Sequence, residues 1–247
     1  MRSKIWIVLL GALTLPMFAL RVELSNDTFA TSGRSANRNL FVTNNSGKMI
    51  ALEVYAQSRI VNETTGIDEL DDIEDFLIYP NQLLLQPDEQ QVVTLTWVGP
   101  QELPEERAFR IVVEELNLSL DEESEDEDMT VKLAALTKVV KAAYVAPENA
   151  KANVKVSKSE VATSDTGKKV IRLTLKNTGT AHKILKQTLI KLTPVDASGK
   201  QLKDQSWEYI PDELNGVINI LARSQRIIEI EWPDNLSASV TEVNVTL

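Results

Sequence analysis

The sequence predicts an all-β protein built as two β-sandwiches in tandem. Short runs rich in Val, Ile, Leu and Thr recur along all 247 residues, and Gly, Asn, Asp or Pro sit between most of them. Helical periodicity is scarce, and the strand pattern stops at Pro147 and starts afresh after "VAPENAKANV". Evenly spaced short strands with turn signals between them are the mark of sandwiches.

In chain order, residues 1–19 read as a secretory signal. Arg2 and Lys4 give a positive start, "IWIVLLGALTLPMFA" an apolar segment, and Ala19 a small residue at which to cut. A membrane anchor needs about 20 apolar residues, and this run is shorter and broken by Pro16. The first sandwich is expected over 20–147. Its strands are read at "NLFVTNN", "MIALEVYAQSRIV", "QVVTLTWV", "FRIVVEELNL" and "VKLAALTKVVKAAYV". "GIDELDDIEDFLIY" is read as room for a helical turn that Pro80 ends. The second sandwich is expected over 152–247, with "NVKVSKSEV", "KVIRLTLKN", "QTLIKLTPV", "QRIIEIEW" and "SVTEVNVTL". "QRIIEIEW" puts Ile228 and Ile230 on one face and Glu229 and Glu231 on the other, the period of a half-buried strand. "LFVTNNSG" and "LTLKNTGT" share a strand followed by an Asn-x-Gly turn, although the two halves do not otherwise read as repeats.

Composition excludes most chemistry. The formal net charge is −10, and loss of Arg2 and Lys4 with the signal takes it to −12, which speaks against nucleic acid. No cysteine is present, so there is no disulfide framework or thiolate, and its absence from an exported chain fits a bacterial periplasm. Six Asn-x-Ser/Thr sites (Asn26, Asn44, Asn62, Asn117, Asn235 and Asn244) are frequent enough by chance in an Asn- and Thr-rich β protein. The single histidine, His182, has no nucleophile to serve and reads as an exposed turn residue. The acidic block "DEESEDED" at 121–128 lacks the spaced ligands and glycine of a calcium loop and reads as a solvated run. No catalytic residue, metal site, cofactor or small-molecule substrate is expected.

What remains is the long strand-like run "MTVKLAALTKVVKAAYVAP", 129–147, directly after that acidic block. One face carries Met129, Val131, Leu133, Ala135, Thr137, Val139 and Lys141; the other carries Lys132, Leu136, Lys138, Val140 and Tyr144. The run is about twice the usual 5–6 residues. A long apolar edge is an aggregation hazard unless it has a partner or a guard, and the acidic block is a guard. The pattern fits either a strand buried in its own sandwich or an edge lent to a partner by β-strand addition.

These motifs, in this order, resemble the PapD-like periplasmic chaperones of the chaperone–usher pilus pathway. "LFVTNNSG" is similar to the family's second strand. "FLIYPNQLLLQPDEQQVVTLTW" matches its Pro, Leu-x-Pro-Gly turn and apolar strand, and "LPEERAFRIVVEEL" its Arg-containing strand. "VKLAALTKVVKAAYVAP" is similar to the strand that such chaperones lend to pilus subunits. The resemblance implies two immunoglobulin-like sandwiches set at an angle around a cleft, in the periplasm, with pilus subunits and an outer-membrane usher as partners. It implies Met129, Val131, Leu133 and Ala135 as donor residues, and a cleft lysine for the subunit's terminal carboxylate at Lys141 or, given a bulge, Lys138. The family's first-strand Arg falls on Thr28, with Arg34 and Arg38 close in sequence but outside that slot, and the Leu-x-Pro-Gly turn reads Pro87-Asp88. The other class open to this sequence is a secreted two-sandwich adhesive or structural surface protein.

Overall fold

A computed structural model describes residues 20–117, 136–186, 190–196, 198–210, 218–233 and 242–246. The expected signal at 1–19, the acidic block at 121–128, and Met129, Val131, Leu133 and Ala135 lie outside the described residues. All regular structure described is β, apart from two short 3-10 turns at Arg34–Ala36 and Lys203–Gln205. The first half holds β1 (Leu20–Leu24), β2 (Thr28–Ala30), β3 (Asn37–Asn44), β4 (Ile50–Val61), β5 (Asp68–Asp72), β6 (Phe76–Tyr79), β7 (Gln82–Leu85), β8 (Gln90–Trp97), β9 (Arg107–Leu116) and β10 (Lys138–Ala146). The second holds β11 (Val154–Thr163), β12 (Lys169–Asn177), β13 (Lys183–Leu185), β14 (Ile190–Val195), β15 (Trp207–Tyr209), β16 (Ile218–Ile220), β17 (Gln225–Glu231) and β18 (Glu242–Thr246).

The first sandwich packs a sheet of order β1-β3-β8-β6 against one of order β2-β10-β9-β4-β5, with β7 on the start of β4. Alternation decides which side chains meet. Leu40 and Val42 of β3, Val93 and Leu95 of β8, Leu52 and Val54 of β4, and Phe109, Ile111 and Val113 of β9 all face inward. Phe76 sits at the centre, its ring edge-on to Phe29, Trp97 and Phe109 at centroid distances of 5.2–5.3 Å. Each such ring pair adds roughly 0.5–1.5 kcal/mol beyond area burial.

The acidic stretch before Pro80 forms two strands, β5 and β6, where a helical turn was expected. Tertiary pairing overrides its weak strand propensity. β5 runs antiparallel to the end of β4, with Asp68 opposite Val61 and Leu70 opposite Arg59. Asp68 is drawn in by Arg59 Nε at 2.8 Å and by Arg110 Nε at 2.7 Å. Glu69, Asp71 and Asp72 stay exposed along the outer rim, where like charges discourage further strand addition.

The second half pairs β11-β12-β17, β15-β14-β18 and β13-β16 around Ile171, Leu173, Ile190, Leu192 and Ile230. As its alternation predicts, β17 turns Ile230 inward while Glu229 reaches Arg172 across the strands at 2.6 Å. A second cluster, Leu175, Leu185, Ile218 and Ile220, fills the other end.

The two strand-then-turn segments are a structural repeat, but the first uses Asn44, one residue ahead of its Asn45-Ser46-Gly47 motif, where the second uses the Asn177 of Asn177-Thr178-Gly179. Asn44 ends β3, and its side-chain amide donates to the carbonyls of Lys48, Leu85 and Gln86. Asn177 ends β12, and its amide donates to Ala181, Ile220 and Leu221. In both places the next strand along begins after a residue at positive φ, Asp88 at 61° and Arg223 at 55°. Asp88 stands where the resemblance puts glycine, and the left-handed backbone that glycine would favour is kept.

Candidate functional site

β10 has one edge on β9, and along most of its other edge no described strand pairs with it. Against β9 it pairs without a register shift from Lys138–Glu114 to Val145–Arg107. On its other side β2 covers only Tyr144, Val145 and Ala146, in parallel register with Thr28, Phe29 and Ala30. Two main-chain bonds fix which groups point outward. The Thr137 carbonyl accepts from Glu115 N–H on β9, whereas Tyr144 N–H donates to the Asp27 carbonyl on the β2 side. Strand alternation then turns the N–H and C=O of Lys138, Val140 and Ala142 toward the edge that no described strand covers. Their side chains leave the outer face of the sheet, while Val139, Lys141, Ala143 and Val145 share the inner face with Phe109, Ile111 and Val113.

The two lysines therefore point to opposite faces. Lys138 is opposite Glu114 and is held at 3.2 Å by that carboxylate and at 2.9 Å by the Tyr55 hydroxyl. Those two partners, Tyr55 first, push its ammonium pKa up. Lys141, opposite Ile111, is half-buried and makes no ion pair with the described residues. Thr28 lies level with Tyr144, and the sequence missed what comes to it. Arg38 donates from Nε at 3.0 Å and Nη2 at 2.6 Å to the Thr28 carbonyl, with its guanidinium 5.6 Å above the Phe29 ring. Arg38 of β3 thus brings a cation next to Thr28. Arg34 lies on the 3-10 turn that follows β2.

Over β4 and β9, the outer face of the sheet forms the floor of a cleft of about 510 Å³ under the second sandwich. Arg59, Ala108 and Arg107 line it from below, Leu221, Ala222 and Ser224 from above. Asp68 spans Arg59 and Arg110; burial alone would raise its pKa, but the two guanidiniums outweigh that and hold it below the usual carboxylate value. Arg59 is almost wholly buried, its side chain 6% exposed.

His182 is no exposed turn residue. Its Nδ1 lies 2.7 Å from Glu106 Oε1, and its main-chain N–H donates to the same oxygen at 2.9 Å. Its ring stacks on Tyr144 at 3.7 Å with the planes 12° apart. Asn219 Nδ2 donates to the Tyr144 hydroxyl at 2.7 Å. Glu106 and Tyr144 belong to the first sandwich, His182 and Asn219 to the second. No sequence signal joins them, because Glu106 and His182 are 76 residues apart.

No family model matches the chain, and no curated protein matches it either. Solved structures do. A chain of the complex between the chaperone CsuC and the tip adhesion subunit CsuE, from archaic chaperone–usher Csu pili of Acinetobacter baumannii, superposes with a TM-score of 0.55 at 13% identity, covering 91% of this chain and 97% of that one. The fold is that of the pilus chaperones. The YadV chaperone matches with a TM-score of 0.50 at 14% identity over 91% of this chain and 90% of its own. The Salmonella enterica SafA pilin–SafB chaperone complex contains a chain that matches with 0.50 at 12% identity, over 87% and 85%. Among the described residues, β10 pairs on its second edge only at Tyr144, Val145 and Ala146.

Proposed function

We propose that this chain is a periplasmic chaperone that holds pilus subunits by lending them a β-strand and passes them to an outer-membrane usher. The observation that carries this reading is the open edge of β10 at Lys138, Val140 and Ala142, on a sheet whose opposite edge, β5, is closed off by carboxylates. The likeness in fold to chains from chaperone–subunit complexes supports it.

The mechanism is physical rather than catalytic. A subunit with an incomplete sandwich presents an apolar groove and an unpaired edge to water. Main-chain groups of the lent strand satisfy that edge, and alternate side chains enter the groove. Val131, Leu133 and Ala135, with Met129 at the rim, would supply the apolar contacts. Burying about three aliphatic side chains contributes on the order of 5 kcal/mol before ordering costs. Lys141, which has no ion pair to the described residues, is a better candidate for a terminal carboxylate than Lys138, which Glu114 already neutralises. Release needs no nucleotide, because another strand can displace the lent one.

Affinity purification of the tagged protein from its native periplasm, followed by mass spectrometry, tests this. Wild type should carry a small β-rich secreted protein in stoichiometric amount, and Leu133→Asp should carry none while remaining folded. A Leu133→Asp protein that keeps its cargo would remove the assignment.

A further inference from the structure

The outer face of a sandwich sheet is normally where polar side chains meet water, yet Tyr144 on that face is 1% exposed. It belongs to neither sandwich's core cluster. What buries it is the second sandwich: the His182 ring lies flat on it and Asn219 binds its hydroxyl. Burial raises its phenol pKa, so it stays a neutral hydroxyl that can accept from Asn219.

Tyr144 is also the residue at which the edge of β10 changes character. Its N–H is taken by Asp27, and β2 covers the strand from there on; every outward main-chain group before it is uncovered by described strands. A strand adding to β10 can pair back from Ala142 and meets β2 at Tyr144. The residue that ends the open edge is thus the one to which the second sandwich is bolted.

The bolt is held from behind. Glu106, whose side chain is 4% exposed, accepts both the ring and main-chain N–H contacts of His182. Its own N–H donates to the Thr180 carbonyl at 2.9 Å. Thr180 and Ala181 N–H in turn bind the carbonyl of Lys151, in the segment that joins the two halves. The turn at 178–182 therefore grips the first sandwich, the connecting segment and Tyr144 together.

We propose that Tyr144 is a positioning residue for strand capture: gripped by His182 and Asn219, it fixes the end of the open β10 edge and couples that edge to the second sandwich. The proposal rests on the strand-lending reading for its use, but its structural part can be tested without any partner. Loosening the grip should loosen the edge locally, not the fold as a whole.

Hydrogen exchange of the full mature chain is the first arm, on wild type, His182→Ala, His182→Gln and Tyr144→Phe. In wild type the amides of Val140 and Ala142 should exchange fast and that of Tyr144 slowly. His182→Ala should speed exchange at Tyr144 by about tenfold, the equivalent of roughly one hydrogen bond, with β3 and β8 unchanged. His182→Gln, which can still donate to Glu106, should restore part of the protection, and Tyr144→Phe, which keeps the stack and loses the hydroxyl, should fall between. Equal protection at Tyr144 in wild type and His182→Ala would overturn the proposal. The second arm is the periplasmic purification, where His182→Ala should lose about tenfold of the cargo that wild type holds, with rescue by His182→Gln. Cargo lost in Leu133→Asp but fully kept in His182→Ala would sink the coupling and leave strand lending intact. A wild type without cargo would sink strand lending, while the exchange data would still decide whether the grip controls the edge.

Discussion

Asn44 and Asn177 hold the same place in the two sandwiches. Each is buried at the end of an interior strand of its sheet, and through one side-chain amide each ties a carbonyl of its own turn to two carbonyls of a segment distant in sequence. Their Oδ1 atoms also accept main-chain N–H groups, from Ser46 for one and from Asn153 and Gly179 for the other. Replacing either by Ala strands buried carbonyls, so Asn44→Ala and Asn177→Ala should each cost about 2–3 kcal/mol in urea unfolding. A loss well below 1 kcal/mol would show that these networks hold nothing together.

Asp88 occupies the left-handed region at φ 61°, where a side chain costs up to roughly 1–2 kcal/mol and glycine nothing. Asp88→Gly is expected to raise stability by about 0.5–1 kcal/mol despite the greater freedom it gives the unfolded chain. Thermal unfolding read by tryptophan fluorescence will show the rise; a fall would mean the Asp88 side chain holds the turn.

Gly179 has no room for a methyl group. A Cβ there would stand 2.2 Å from the Lys151 carbonyl and 2.5 Å from the Asn153 amide, both main chain. Gly179→Ala should push the connecting segment off the 178–182 turn, accelerating exchange of the Thr180 amide, which donates to Lys151. Unchanged exchange there would contradict the grip described for this turn.

Asp68 gives a pH signature. Its carboxyl titrates below its ordinary value of 3.8 in the folded state. A group with a depressed folded pKa adds stability above its unfolded pKa and loses it as pH falls through the folded one. Wild type should therefore exceed Asp68→Asn by about 1–3 kcal/mol at neutral pH, and the gap should close as pH falls below about 4. A gap that is constant with pH would exclude the two guanidiniums as its cause.

The strands with clean alternation were legible in the sequence. β17 displays its inward Ile228 and Ile230 against Glu229 and Glu231, and β4, β8, β9 and β12 are equally plain. Lys138 and Lys141 could be assigned to opposite faces because β10 runs along β9 without a bulge. β5 was not legible, since "DELDD" has weak strand propensity and becomes a strand by pairing with β4, where Arg59 and Arg110, 9 and 42 residues away, gather Asp68. His182 was misread for the same kind of reason: a turn residue is exposed unless another domain covers it, and here Tyr144 and Glu106 do.

The most direct test of strand lending removes one main-chain donor from the open edge. Ala142 N–H faces away from β9, so Ala142→Pro deletes it while sparing the ladder inside the sheet, a position where proline is tolerated on an edge. Co-purification from the native periplasm, with circular dichroism of each protein, compares it with wild type. The expected result is a folded Ala142→Pro protein that has lost the small β-rich cargo carried by wild type. Cargo held undiminished by a folded Ala142→Pro protein would contradict it.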